Sequence, residues 1–65
     1  MNWSNQRIAI IFGGIGTEAE ISRSAKSNLV GAMRELNIDP IEIDIKDGLV
    51  GRLLEQRPDR VFNLV

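Results

Sequence analysis

The chain has 65 residues, of which 43% are hydrophobic, and its eight Lys or Arg residues against nine Asp or Glu residues give a net charge of −1. It contains neither cysteine nor histidine, which excludes disulfides, thiolate chemistry and the commonest metal ligand and general base. No basic run, bilayer-length apolar run or signal peptide is present, so we expect one small cytoplasmic domain without a nucleic-acid or membrane partner.

The first predicted element is a strand. Residues 1–6 read as a polar tail, and residues 7–65 as one incomplete α/β domain. The domain begins with RIAIIF at residues 7–12, where apolar and β-branched side chains follow one another without alternation. This pattern is typical of a parallel strand that is buried on both faces. A glycine cluster, Gly13, Gly14 and Gly16, follows directly.

Residues 18–36 are predicted to form a helix. Thr17 and Glu20 have the T-x-x-E spacing of a capping box, which would fix the helix start. Apolar residues recur at intervals of three and four and predict one buried stripe, formed by Ile21, Ala25, Leu29, Ala32, Met33 and Leu36.

The second strand is predicted within residues 39–45. Its sequence IEIDI alternates, with isoleucines on one face and Glu42 and Asp44 on the other, which is typical of a half-buried edge strand. Asp47 is a candidate cap for a second helix at residues 48–56, and Pro58 would end that helix.

A third strand, RVFNLV at residues 60–65, completes a βαβαβ order. With right-handed crossovers, this order predicts an α/β fold in which a three-stranded parallel sheet forms a Rossmann-like half with strand order 2-1-3. Ligands of such sheets bind beyond the carboxyl ends of the strands. Because no loop follows the third strand, we expect the chain to be the amino-terminal part of a larger protein.

The glycine loop has three interpretations. It can be purely structural, a tight turn before a helix whose first turn is acidic. It can also be a dinucleotide fingerprint, since Gly14, Gly16 and Ala19 match G-x-G-x-x-[G/A] and Asp44 could bind a ribose. However, Glu18 and Glu20 would then repel the phosphates at the helix terminus.

The third interpretation is an ammonium site. If Glu20 is used in the capping box, the Glu18 carboxylate is left free to bind a cation. Ser22 lies one turn after Glu18 on the same face, Ile21 could contact a small apolar side chain, and glycines such as Gly14 let the backbone approach a small ligand. This interpretation predicts a site for a small amino acid.

At these residues the sequence resembles the amino terminus of D-alanine–D-alanine ligases. The similarity lies in RIAIIFGGIGTEAEIS and the helix after it, with the double glycine followed by Glu-x-Glu-hydrophobic-Ser, and it extends over residues 7–65. The closing DRVFNLV resembles the third strand of that family. Gly16 departs from the family, where serine is common, so one hydroxyl contact is absent.

The resemblance implies an enzyme of the ATP-grasp superfamily that joins two D-alanines for peptidoglycan. ATP and Mg2+ would be bound by later ATP-grasp domains, and this chain alone would bind no cofactor or metal and catalyse nothing. Glu18 would be the catalytic residue that holds the ammonium of the first D-alanine, Ser22 would position Glu18 or lie behind it, and Ile21 would line the methyl pocket. Family members are usually homodimers. The alternatives, a dinucleotide-binding half-domain of an oxidoreductase and a structural module, stay open here.

Overall fold

The computed structural model describes residues 5–65, so most of the predicted polar tail and Trp3 lie outside the described residues. The elements, in chain order, are β1 (Ile8–Phe12), α1 (Thr17–Glu35), β2 (Ile41–Asp44), a short 3-10 turn (Ile45–Asp47), α2 (Leu49–Gln56) and β3 (Arg60–Asn63). The strands form one parallel sheet in the order β2-β1-β3. The α/β class, the βαβαβ order and the strand order predicted from the sequence are confirmed.

β1 is the centre of the molecule. All five of its residues are buried, because strands flank it on both sides and its two faces are covered. The main core cluster joins β1 to α1 and consists of Ile8, Ile10, Phe12, Val30 and Met33. The prediction that the uninterrupted apolar run is a strand buried on both faces is therefore confirmed.

β2 lies at an edge of the sheet, and its acidic face meets a basic face of α1. Lys26 Nζ lies 2.8 Å from Glu42 Oε1, and Arg23 Nη2 lies 2.9 Å from Asp44 Oδ2. The side chain of Asp44 is only 9% exposed. The alternation of IEIDI thus separates an apolar face from a face that is paired with the helix, and Ile45 belongs to the following turn.

The predicted side-chain caps are wrong for both helices. Gly16 occupies the N-cap position of α1 with φ 102° and ψ −177°, so Thr17 is the first helical residue and no side chain caps the helix. A capping box needs its hydroxyl one position earlier. Similarly, Gly48, with φ 88°, occupies the N-cap position of α2, and Asp47 lies in the preceding turn.

The buried face of α1 differs from the predicted stripe. Its buried residues are Ala19, Ser22, Val30 and Met33, and Leu29 packs partly against the core. Ile21 is 72% exposed and Leu36 70% exposed, so these two predictions are wrong. Ala25 and Ala32 are exposed as well. The buried face includes Ser22, whose hydroxyl makes hydrogen bonds to the Gly13 amide and the Leu64 carbonyl, a demand that an apolar stripe does not reveal.

β3 forms the second edge of the sheet and ends at Asn63, two residues earlier than predicted. Its side chains are mostly exposed; Val61, for example, is 43% exposed. α2 buries none of its residues fully. In the described part of the chain, none of the helices combines the length and apolar character that crossing a membrane requires.

Candidate functional site

A cleft of about 370 Å³ opens at the carboxyl ends of the three strands. This is the edge at which parallel α/β sheets bind ligands. The lining comes from the loop after β1, the first turns of α1, and the residues that follow β2 and β3. The lining residues are Gly13, Gly14, Ile15, Glu18, Ala19, Ile21, Ser22, Ala25, Ile45, Leu64 and Val65.

The glycine loop follows β1 in a conformation that L side chains rarely adopt. Gly13 has φ 79° and Gly14 has φ 98°. A Cβ atom on Gly13 would lie 2.5 Å from a carboxylate oxygen of Asp44, and one on Gly14 would lie 3.0 Å from Ile45 Cδ1. Glycine is therefore required at both positions by the backbone angles and by the end of β2.

Asp44 fastens this loop to β2. Its Oδ1 accepts hydrogen bonds from the amides of Gly14 (3.0 Å) and Lys46 (3.1 Å), and its Oδ2 accepts from Arg23 Nη2 (2.9 Å) and Nε (3.2 Å). These donors, the Gly14 amide most of all, lower the pKa of Asp44 to about 2 against the opposing effect of its burial. Because both oxygens already accept bonds, Asp44 is not a free acceptor for a ribose.

Ser22 fastens the loop to α1 and to the end of β3. Its hydroxyl oxygen accepts a hydrogen bond from the Gly13 amide (2.8 Å) and donates one to the Leu64 carbonyl (2.9 Å). Both bonds are local to the cleft wall, and neither involves Glu18. The sequence placed Ser22 at the site, but its use as a bridge between loop and strand was not predicted.

Glu18 and Glu20 differ in position although both lie in the first turn of α1. Glu18 lines the cleft and is exposed, and its carboxylate makes no hydrogen bond or ion pair within residues 5–65. Glu20 is exposed but does not line the cleft. The sequence predicts that Glu20 is kept from the site by a capping bond, and this reason is wrong because Glu20 makes no such bond. The structure nevertheless places Glu18 at the cleft and Glu20 outside it.

The structure brings the predicted site residues together and adds two that the sequence did not single out. Gly14, Glu18, Ile21 and Ser22 all line the same cleft. No sequence motif singles out Arg23, and the sequence indicates Asp44 only as a ligand of a ribose. The sequence signal for both residues is that an acidic residue ends β2 and an arginine lies on the helix before it, so that the two charges are complementary. Such a pair has no fixed spacing in a sequence, and a motif search therefore does not find it. Nowhere within residues 5–65 do three or more Asp, Glu, His or Cys side chains gather in a way that could hold a metal ion.

Curated proteins with similar sequences include several D-alanine–D-alanine ligases. The chain is 34% identical over 65 residues to the D-alanine–D-alanine ligase of Glaesserella parasuis serovar 5, which covers 100% of this chain and 22% of that protein. It is 37% identical over 59 residues to D-alanine–D-alanine ligase B of Xanthomonas campestris pv. campestris and 39% identical over 59 residues to the ligase of Methylococcus capsulatus. Each of these two alignments covers 91% of this chain and 19% of the relative. No family model and no solved structure matches the chain.

The chain spans about a fifth of the length of the curated relatives it matches. Within that span the similarity takes in the strands, the glycine loop and both helices. This chain is therefore similar in sequence to D-alanine–D-alanine ligases along all of its 65 residues.

Proposed function

We propose that the chain is the amino-terminal, substrate-binding part of a D-alanine–D-alanine ligase, and that Glu18 binds the ammonium group of the first D-alanine. The observation that carries this proposal is the charge of the cleft. Among the described residues that line it, Glu18 has the only charged side chain. An exposed carboxylate without a partner beside a small cleft is suited to a ligand that brings its own positive charge.

The rest of the lining agrees in size and polarity with alanine. Ile21 and Ala25 are apolar residues of α1 that face the cleft, and they can contact a methyl group. Gly14 has no side chain, so a small ligand can approach the backbone closely. These residues would bind and orient the amino acid, and orientation of this kind can contribute several kcal/mol to a bimolecular reaction.

ATP, when bound, supplies the phosphate that activates the carboxyl group of the first D-alanine for attack by the amine of the second. We assign the binding of ATP and of its magnesium to ATP-grasp domains outside the 65 residues. The full-length enzyme would be a cytoplasmic homodimer that makes the D-alanyl dipeptide of peptidoglycan.

A dinucleotide-binding half-domain fits the loop less well. Phosphate binding at a helix start depends on free amides and a positive dipole. Here the Gly13 and Gly14 amides already donate to Ser22 and Asp44. Glu18 and Glu20 add negative charge at the same helix end.

The test compares Glu18→Gln with Glu20→Gln in the full-length protein. Loss of one charge-assisted hydrogen bond is worth about 1.5–3 kcal/mol, so Glu18→Gln should raise KM for the first D-alanine about 10- to 100-fold. KM for ATP should not change. Steady-state phosphate release with varied D-alanine and ATP measures both values.

Glu20→Gln is the matched control, because it removes the same charge from the same helical turn outside the cleft. It should leave both KM values near those of the wild type. Equal effects of the two substitutions, or none from Glu18→Gln, would contradict the proposal. Dinucleotide binding that survives Glu18→Gln would support the oxidoreductase alternative instead.

A further inference from the structure

Both backbone polar groups of Gly14 are held by side chains. Its amide donates to Asp44 Oδ1 at 3.0 Å, and its carbonyl oxygen accepts from Arg23 Nη2 at 3.0 Å. The same arginine binds Asp44 Oδ2 through Nη2 and Nε at 2.9 and 3.2 Å. Helix α1, the glycine loop and the end of β2 are thus joined in a closed set of hydrogen bonds, which we call the Gly14 clamp (Gly14, Arg23 and Asp44).

The clamp lies close to Glu18 along the chain. Only Ile15, Gly16 and Thr17 separate Gly14 from Glu18, so the position at which the loop is held limits where the first turn of α1 can begin. Packing around Gly16 adds nothing to that restraint, because, apart from its chain neighbours, no atom lies within 4 Å of where its side chain would be. Arg23, five positions after Glu18 on the same helix, fixes α1 from the other side.

Stability alone is a weak reason for this arrangement. The Arg23 side chain is 36% exposed, and ion pairs with an exposed partner contribute little because water and salt screen them. What the guanidinium does have is geometry: its planar donors reach two acceptors on two different segments at once, which a lysine ammonium does with less directional control. Such geometry is suited to the orientation of a backbone segment.

We propose that Arg23 and Asp44 are positioning residues of the D-alanine cleft, which act through Gly14 to set where the loop backbone and the Glu18 carboxylate meet the substrate ammonium. This inference rests on the proposed function. In this arrangement Arg23 and Asp44 do not contact the substrate. They hold the loop at Gly14, and the loop in turn positions the Glu18 carboxylate, which contacts the substrate.

The experiment is Arg23→Met in the full-length enzyme, measured beside Arg34→Met. Misplacement of a site by about 1 Å can cost roughly 100-fold, so we expect KM for the first D-alanine to rise about 10- to 100-fold while KM for ATP stays unchanged. Arg34 is the control because it belongs to the same helix and also pairs with acidic side chains near β2, Asp39 at 3.6 Å and Glu42 at 3.7 Å, but not with the loop. Arg34→Met should leave both KM values unchanged.

Two further measurements separate positioning from folding. Added guanidinium should lower the raised KM of Arg23→Met, whereas an equal concentration of sodium should not. Arg23→Lys, which keeps the charge, should give a KM between those of wild type and Arg23→Met. The Arg23→Met/Asp44→Asn double variant should be no worse than the worse single variant, because both substitutions open the same clamp.

A lower melting temperature of Arg23→Met with an unchanged KM for D-alanine would overturn the inference. The same conclusion would follow if guanidinium had no effect. Glu18→Gln distinguishes this failure from that of the proposed function. If Glu18→Gln raises KM and Arg23→Met does not, only the clamp inference fails; if neither does, the proposed function fails.

Discussion

The two ends of the sheet carry similar side chains in different surroundings. At the carboxyl end, Arg23 and Asp44 hold the backbone of Gly14. At the amino end, Arg7 Nε donates to the Gln56 carbonyl at 2.9 Å, and the Arg7 amide donates to Asp59 Oδ2 at 2.7 Å. Each end therefore joins an arginine, a carboxylate and backbone groups from segments that are distant in the sequence.

Burial separates the two ends. The bonds at the amino end are exposed, so water can replace them when they are lost. At the carboxyl end the bonds of the Gly13 and Gly14 amides are buried, and an amide that loses its acceptor there stays unpaired. The same chemical groups thus hold the start of a strand at one end and, at the other, the glycine loop that lines the cleft. Substitutions at the carboxyl end should be the more costly.

The largest effect is expected from Gly13→Ala. The new Cβ would lie 2.5 Å from the Asp44 carboxylate, on a backbone with φ 79°. We expect the free energy of opening of β1 to fall by about 2–4 kcal/mol, from strain and overpacking together. Hydrogen exchange of the Ile8–Phe12 amides in the full-length protein measures this.

Gly51→Ala is the control for that substitution. Gly51 lies within α2, and a Cβ there would meet no atom within 4 Å. Alanine should stabilise the helix by up to about 1 kcal/mol. Unchanged protection of β1 in Gly13→Ala would mean that Asp44 can move aside, and that the loop is not fixed as described.

Ser22→Ala should have an intermediate effect. It removes the acceptor of the buried Gly13 amide and the donor to the Leu64 carbonyl. An unpaired buried amide costs about 1–3 kcal/mol, which should appear as faster exchange at Gly13 and at the end of β1. Ser24→Ala, on the exposed side of the same helix, should exchange like the wild type. Equal exchange in the two variants would contradict the bridge.

Acid should act on the carboxyl end through Asp44. Its pKa in the folded protein is about 2, below the ordinary value of 3.8, so its contribution to stability is complete above pH 3.8 and is lost as the pH falls through 2. The thermal midpoint of the wild type should therefore fall more steeply between pH 3.8 and 2 than that of Asp44→Asn. Parallel pH curves for the two proteins would contradict this assignment.

Arg7→Met provides the comparison at the amino end and the smallest effect. Among residues 5–65, the Arg7 side chain donates to Gln56 Oε1 and the Gln56 carbonyl, and both bonds are exposed, so its loss should cost about 0.5 kcal/mol or less. Because Arg7→Met leaves Asp44 and its donors in place, the pH curve should keep its shape. A cost as large as that of Ser22→Ala would remove the contrast between the two ends.

The fold was predictable because it depends on patterns of several residues. The apolar run of β1 and the alternation in β2 gave the sheet and its order, and the structure agrees with both. Details that depend on one backbone angle were not predictable in the same way. The predicted capping box at Thr17 is wrong because Gly16, with φ 102°, occupies the N-cap position of α1. The predicted cap at Asp47 is wrong because Gly48, with φ 88°, occupies the N-cap position of α2.

The positions of the candidate residues were more predictable than the contacts that build the cleft, and their roles in binding stay predictions. Glu18 and Ile21 were placed at the cleft by the local order of glycines and acidic residues, and the structure brings both to it. The uses of Ser22 and Asp44 depend on contacts with residues 9 to 42 positions away, such as Gly13, Gly14 and Leu64. Such contacts form only when the sheet has brought distant segments together, so no local spacing in the sequence predicts them.

The stereochemistry of Gly16 has a consequence of its own. Its φ of 102° with ψ of −177° is the mirror image of ordinary extended backbone. An L-residue at this position would be strained, whereas a residue of D configuration would adopt its own relaxed extended form. The start of α1 is thus determined by the handedness of one backbone unit and not by a side-chain hydrogen bond, and chemical synthesis with D-alanine at position 16 would preserve it.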